Sequence, residues 1–390
     1  MCDIPGGNIP ELSTADWKRV IRDASSLGAQ TIVFSGGEPL LREDIFELIS
    51  FTKKNNLSAC VTSNGNLLDE QAAAKLRAAE VNVVNISIEG TKKTHDFLRG
   101  AGSFDKALAA LANLKKYKIE STAASTVSKY NYEELLDVLE IARDCGATTI
   151  RLQPFNVIFL KDRERKGEFL IGQQDIQKLE GVIKKFIDLS REYKISTNPA
   201  SYLSRIPGYL AGKKFFTRNC GALWYSCPIN PNGDVFPCWI EGADNKLIGN
   251  VREENLYRLW LSEKRARIVG EITSCGCNGC LMSCYDEVFD RPLSKEYLAG
   301  KAKKIKKAAD YKKVLNKLRQ SLKSQVVKSK LRYRFYISYR SSLFNLLKRR
   351  LLGIFRKPKK TRLDLQAEKE KALSETRVSK NRLKKTIQSL

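Results

Sequence analysis

Ten cysteines and a single histidine set the chemistry open to this 390-residue chain. Seven of the cysteines fall within residues 220–284, as Cys220-x6-Cys227-x10-Cys238 and Cys275-x-Cys277-x2-Cys280-x3-Cys284. Core packing does not account for that density. The first residues, Met1 to Gly7, carry no basic-then-apolar run of the kind that directs export. Clustered thiols in such a chain point to metal or iron–sulfur ligation rather than to disulfides. Spacing alone suits structural zinc and an iron–sulfur cluster equally. With only His95 available, histidine-rich zinc catalysis and most histidine-based acid–base schemes are excluded. Cys60 and Cys145 stand alone, inside or beside regular elements, and read as buried apolar side chains.

Three short segments could hold a small ligand. Gly36-Gly37-Glu38-Pro39 follows the β-branched run Thr31-Ile32-Val33-Phe34-Ser35. Two glycines let the backbone come close to a ligand, Pro39 fixes the exit of the turn, and Glu38 presents a carboxylate suited to an ammonium group. Taken alone, the tetrapeptide is explained as well by a tight turn. Ser63 and Asn64 within Thr62-Ser63-Asn64-Gly65, and Ser87 and Glu89 within Ser87-Ile88-Glu89-Gly90, offer partners for ribose or amino-acid atoms.

These segments need elements to position them. Ser13, with Asp16 three residues on, opens a helix carrying Trp17, Val20, Ile21 and Ala24, and Gly28 stops it. Strands are expected over Thr31–Ser35, Ser58–Ser63, Val81–Ile88, Ile119–Val127 and Thr148–Gln153. Helices are expected from Leu41 to Ile49, and over Asp69–Glu80, Ser103–Tyr117, Asn131–Arg143 and Gln173–Tyr193. Such alternation implies βαβ units, a parallel sheet and right-handed crossovers that curl it into a full or partial barrel. The three segments and Gln153-Pro154 then all lie in loops after strands, where such folds place their sites. Pro228 to Pro237 reads as a hairpin with an Asn-Gly turn.

Composition agrees with a globular body: 42% of residues are hydrophobic and 29% charged, too apolar for a disordered chain. No run of about 18 apolar residues exists to span a membrane. The net charge of +26 sits almost wholly in residues 301–390, which hold 30 of the 69 basic and 5 of the 43 acidic side chains. That tail reads as helical or unstructured, with an amphipathic cationic stretch, Leu346 to Lys357. It suits an anionic membrane surface better than nucleic acid, because its basic residues flank apolar clusters.

The loop set resembles the radical S-adenosylmethionine (radical SAM) superfamily over about residues 1–290. Gly36-Gly37-Glu38-Pro39 looks like the family's segment for the methionine amino group. Thr62-Ser63-Asn64-Gly65 is similar to its third-strand segment. Ser87-Ile88-Glu89-Gly90, followed by His95-Asp96-x2-Arg99-Gly100, is similar to its fourth, although many relatives have Asp at the Glu89 position. The later cysteines resemble the SPASM extension, which binds auxiliary iron–sulfur clusters. The resemblance implies a partial (β/α)6 TIM-like barrel lacking its first strand (1–200), a small Cys-rich cluster domain (210–292) and the basic tail (300–390). It implies S-adenosylmethionine bound by Gly36, Gly37, Glu38, Pro39, Ser63, Asn64, Ser87, Glu89 and Arg99. It implies auxiliary 4Fe-4S ligation among Cys220, Cys227, Cys238, Cys275, Cys277, Cys280 and Cys284.

In that family a Cys-x3-Cys-x2-Cys loop holds the 4Fe-4S cluster that binds S-adenosylmethionine. Met1-Cys2-Asp3-Ile4 looks like its end, with Cys2 as the third ligand. Two cysteines and a strand would then lie upstream of Met1, and the chain as it stands is expected to be inactive. The resemblance implies reductive cleavage of S-adenosylmethionine to a 5′-deoxyadenosyl radical that abstracts hydrogen from a peptide or small-molecule substrate. It implies electrons from a flavodoxin or ferredoxin, and a cytoplasmic enzyme, peripheral to membrane if the tail binds lipid. A zinc-binding adaptor with a polyanion- or membrane-binding tail, and a relative that binds without chemistry, are the competing readings. His95 reads as a structural partner of its own loop, and Asp286 and Glu287 as solvated surface.

Overall fold

The computed structural model describes residues 10–160, 163–213, 226–242, 246–275 and 279–282. Contacts divide the chain into two units, Met1–Leu293 and Ser294–Leu390; the second, with its expected tail, lies outside the described residues.

The first unit opens with helix α1 (Thr14–Ser26). The Ser13 hydroxyl accepts from the Asp16 amide at 3.2 Å, and the Asp16 carboxylate accepts from the Ser13 amide at 3.3 Å. This reciprocal box satisfies two amides that a helix start would leave bare. Five parallel strands follow in chain order, each beside the next: β1 (Thr31–Phe34), β2 (Ser58–Ser63), β3 (Val83–Ser87), β4 (Glu120–Val127) and β5 (Thr149–Pro154). Between them lie α2 (Ile45–Lys54), α3 (Glu70–Ala78), α4 (Lys92–Arg99), α5 (Ser103–Lys116) and α6 (Leu135–Asp144), with α7 (Ile176–Glu192) beyond. The strand-and-helix alternation and strictly sequential order are those of a partial TIM-like barrel. Beyond β5, a single parallel bridge, Thr149 to Ser196, continues the sheet.

The two faces of the sheet differ in chemistry. Ala59, Val61, Val84, Ile86, Ala123, Ile150 and Leu152 pack against the helices in one large core. The alternate positions, Cys60, Thr62, Asn85, Thr126, Arg151 and Gln153, are half-buried and polar. Closed barrels fill their interior with branched apolar side chains. The polar inner face departs from that pattern.

Three boundaries depart from expectation. Helix α4 was not expected: its one buried side chain is His95, so no apolar period marks it. Leu41 belongs to a 3-10 turn, Pro39–Leu41, and α2 begins only at Ile45. The helix expected from Asn131 opens as a 3-10 turn, Tyr132–Glu134.

Gly65 adopts φ +81, and a Cβ there would lie 3.1 Å from Ala107 Cα and 3.2 Å from Ala110 Cβ. Both the left-handed backbone and the contact with α5 demand glycine. Gly65→Ala is expected to lower stability by about 2 kcal/mol. Urea unfolding monitored by circular dichroism measures this; a loss below half that value counts against the packing described.

The segment from Cys227 onward folds back on α1. Ile229 pairs with Val235 across a turn through Pro231, Asn232 and Gly233, with Gly233 at φ +97. The expected Asn-Gly turn is therefore a longer one that begins at Pro231, which suits the fixed φ of proline. A short strand, β6 (Asp234–Val235), pairs antiparallel with β7 (Gly249–Asn250). Val235, Ile248, Val251, Leu256 and Leu259 bury against Leu12, Val20 and Ala24. Leu12 N donates to Pro231 O at 2.7 Å, and Asp23 accepts from Leu256 N at 3.0 Å.

Candidate functional site

All nine expected ligand-binding residues stand at the ends of strands β1, β2 and β3 or in the segments that follow them. Gly36 and Gly37 follow β1. At both, the space a Cβ would take is open, with no atom within 4 Å, and Gly36 sits at φ +135. Glu38 reaches across to the next loop: one carboxylate oxygen accepts from Leu40 N at 3.2 Å and the other from Asn64 N at 2.8 Å. Pro39, buried, starts the 3-10 turn. Ser63 ends β2, and its hydroxyl accepts from Gly65 N at 3.0 Å. Asn64 Oδ1 accepts from Asn66 N at 2.8 Å. Glu38 thus holds the first two loops together, and the open glycine backbone lies just before it.

Ser87 ends β3. Two residues on, Glu89 is wholly buried. Arg99, the last residue of α4, donates to Glu89 Oε1 through Nε at 3.1 Å and also through its terminal nitrogen. Thr126 N donates to Glu89 Oε2 at 2.7 Å. The Glu89 amide donates to His95 Nδ1 at 3.1 Å, and Asn131 Nδ2 donates to Glu89 O at 2.6 Å. Glu89, wholly buried, and Arg99, partly exposed, therefore form an ion pair that fastens the third loop to β4. His95 also contacts Phe104 edge-on, at 5.7 Å between ring centroids. Its Nε2 is buried without a partner among the described residues. Burial, reinforced by Arg99, pushes the imidazole down to about 4, so the ring is neutral and its Nδ1 is free to accept.

Three residues of this network have no marker in the sequence. Asn131 links Glu89 O to Thr126 O. Glu134 accepts from Thr91 N at 2.7 Å and from the Thr94 hydroxyl, holding the start of α4. Asn85 donates to Thr62 Oγ1 at 3.1 Å and to Cys60 Sγ at 3.4 Å on the inner face. Cys60 faces this polar surface rather than the helices, and burial pushes its thiol up to about 11. The inner face was not read from the sequence, though a signal for it exists: parallel strands covered on both sides read as continuous apolar runs. Cys60, Thr62, Arg151 and Gln153 interrupt them at alternate positions.

Of the expected cluster ligands, Cys2, Cys220, Cys277 and Cys284 lie outside the described residues, as does the side chain of Cys275. Cys238 and Cys280 share one small apolar cluster with Ile240 and Met282. Cys227 packs with a different group, beside Val235 and Ile248. Burial pushes the Cys227 thiol up to about 12. Among the described residues no three candidate ligands converge. The apolar cluster around Cys238 and Cys280 suits iron–sulfur ligation, and binding would displace the thiol protons. Likewise the open glycine backbone and the polar inner face fit S-adenosylmethionine.

Comparison with known proteins agrees. Residues 1–142 match the family model described as the radical SAM superfamily, and residues 220–285 match the SPASM iron–sulfur cluster-binding domain. An AdoMet-dependent heme synthase of Methanosarcina barkeri is 31% identical over 273 residues, covering 66% of this chain and 74% of that protein. Mycofactocin maturase MftC of Mycolicibacterium smegmatis is 27% identical over 276 residues, covering 69% and 68%. Native anSMEcpe, solved with bound AdoMet and the Kp18Cys peptide, shares the fold with TM-score 0.55 at 18% identity, covering 69% and 81%. Streptococcus suis SuiB, solved with its precursor peptide SuiA, does so with TM-score 0.53 at 18% identity, covering 67% and 60%. The zinc reading left open by cysteine spacing gives way to iron–sulfur. The chain belongs to the radical SAM superfamily, among its SPASM-containing enzymes, and its cofactors are S-adenosylmethionine and 4Fe-4S clusters.

Proposed function

We infer that the enzyme modifies a peptide substrate by hydrogen abstraction inside the polar face of its sheet. When bound, the reduced cluster supplies the electron that splits S-adenosylmethionine into methionine and a 5′-deoxyadenosyl radical. The chain's own residues position and shield. Gly36 and Gly37 offer backbone to the methionine end, with Glu38 fixing that loop against Asn64. Ser63 and Ser87 stand at strand ends where ribose and carboxylate atoms would lie. Glu89 and Arg99 work from behind, aiming the Ser87 loop. Asn85, Thr62, Arg151 and Gln153 line the face on which a substrate would rest.

The single observation that carries this reading is the polar, half-open inner face directly below the glycine loop. The peptide is supported by what the named relatives do: a maturase is among them, and two solved neighbours hold peptides. The heme synthase relative favours a small molecule as second reading. The test is anaerobic reconstitution of the protein with iron and sulfide, then incubation with dithionite and S-adenosylmethionine and chromatography for 5′-deoxyadenosine. Protein that shows the cluster chromophore yet forms none overturns the reading.

Replacing Cys238 and Cys280 together by serine is expected to remove about four irons per chain, one cluster's worth. Iron and labile-sulfide analysis measures this; unchanged iron would show that neither thiol is a ligand. The electron donor we assign is a flavodoxin or ferredoxin. Residues 301–390, with their 30 basic side chains, are assigned to an anionic membrane surface. Flotation with anionic liposomes is expected for the whole chain and lost without residues 301–390; binding that survives the deletion sinks that assignment.

A further inference from the structure

An aromatic ladder runs along the rim of the sheet. Phe155, directly after β5, stacks on Phe169 at 4.3 Å between centroids and 14° between planes. Phe169 meets Tyr130 at 5.7 Å and 74°, and Tyr130 meets Phe97 at 5.3 Å and 53°. The inner two rings are buried, at 3% and 4% exposure. The outer two are open, Tyr130 at 38% and Phe97 at 69%. Tyr130 belongs to the loop after β4, and Phe97 to α4 after β3. All of the ladder therefore stands at the same end of the strands as the glycine loop.

The loop that carries Tyr130 is held at several points. Asn131, wholly buried, accepts from Ser128 N at 2.8 Å and donates to Glu89 O. Lys129 N donates to Phe169 O at 2.8 Å. The backbone that carries Tyr130 is thus pinned both to the Glu89 loop and to the ladder's buried half. A single exposed ring needs no explanation, but two adjoining rings, one on a locked loop and one on helix α4, form a prepared surface.

The acidic side chain next to Phe97, Asp96, is turned to the Gly102 and Phe104 amides, which leaves basic groups as the unpaired charge beside the pair. Lys93 lies one turn before Phe97 on α4, and Lys129 adjoins Tyr130. Lys93 and Lys129 have no acidic partner among the described residues, whereas Lys92 on the same helix is paired with Asp105. Glu168, beside Phe169, is engaged by Arg165.

We propose that Phe97 and Tyr130, flanked by Lys93 and Lys129, are the docking strip for a peptide segment in which an aromatic or large apolar side chain is accompanied by carboxylates. The apolar side chain covers the two rings, and the carboxylates meet the two lysines. The rest of the peptide is then led onto the polar inner face. This deepens, and rests on, the peptide reading above.

The test uses the full chain with Phe97 replaced by photoreactive p-benzoylphenylalanine, and the random copolymer poly(Glu,Tyr) as probe. The same replacement at Tyr257, exposed on the auxiliary segment, is the control that cancels attraction to the basic tail. The copolymer should cross-link from position 97 at least tenfold more than from 257. Lys93→Glu with Lys129→Glu should lower the yield at least tenfold, and Tyr130→Ser severalfold with charge untouched. Polyglutamate should compete at least tenfold less well. Equal yields at both positions, equal competition by polyglutamate, or equal cross-linking of oligo(dT), which would mark a nucleic-acid surface, each overturn the proposal. Cross-linking requires no cluster, so failure here with intact S-adenosylmethionine cleavage condemns the strip and not the enzymatic reading.

Discussion

Glu89→Ala is expected to cost the protein about 3–5 kcal/mol of folding stability. The carboxylate is wholly buried and accepts from Arg99 and from the Thr126 amide. Removing it leaves a guanidinium, only partly in contact with solvent, without its counter-charge, and a backbone donor without an acceptor. A buried pair that loses one member suffers more than a pair that was never made. Glu89→Gln keeps an acceptor for Thr126 and should cost about half as much, on the order of 2 kcal/mol. Urea unfolding of the two variants at neutral pH decides the matter. A loss under about 1 kcal/mol for alanine would mean that water replaces the carboxylate and that the third loop is held by other bonds.

His95 should give the protein an acid-labile stability. Its folded value lies near 4 against an ordinary 6.5, because burial disfavours the charged ring and Arg99 adds to this. The unfolded chain therefore takes up the proton first. Stability from this group is complete above about pH 6.5 and is lost as the pH falls towards 4. The loss is on the order of 3 kcal/mol by pH 4. Because it is the only histidine, the Cε1 proton resonance of its ring can be titrated by proton NMR without residue assignment. A midpoint near 6.5 in the folded protein would show the ring to be solvated and the bond from the Glu89 amide absent.

Much of this was legible in the chain. The capping box at Ser13, the cap at Asp69 and the five strands follow from local rules and apolar spacing. The glycine-rich loop was found because its residue types announce a close approach. What was hidden depends on distance along the chain. Asn131 and Glu134 serve Glu89 and Thr91 from 42 and 43 residues away, and no periodicity reports such a bond. Helix α4 was hidden because its buried position is filled by an imidazole that works as an acceptor rather than by an apolar side chain. The separation of Cys227 from Cys238 and Cys280 arises from the way the hairpin turns back onto α1.

Helix α1 has one side in each half of the first unit. Val20 and Ala24 complete the interior of the auxiliary segment, while Ile21 closes a small core with Leu48 and Leu57 beside the sheet. Trp17 touches both. Neither half can melt without stripping that helix of one wall. The two should therefore unfold in a single cooperative transition, and a ligand that tightens either one raises the melting temperature of both.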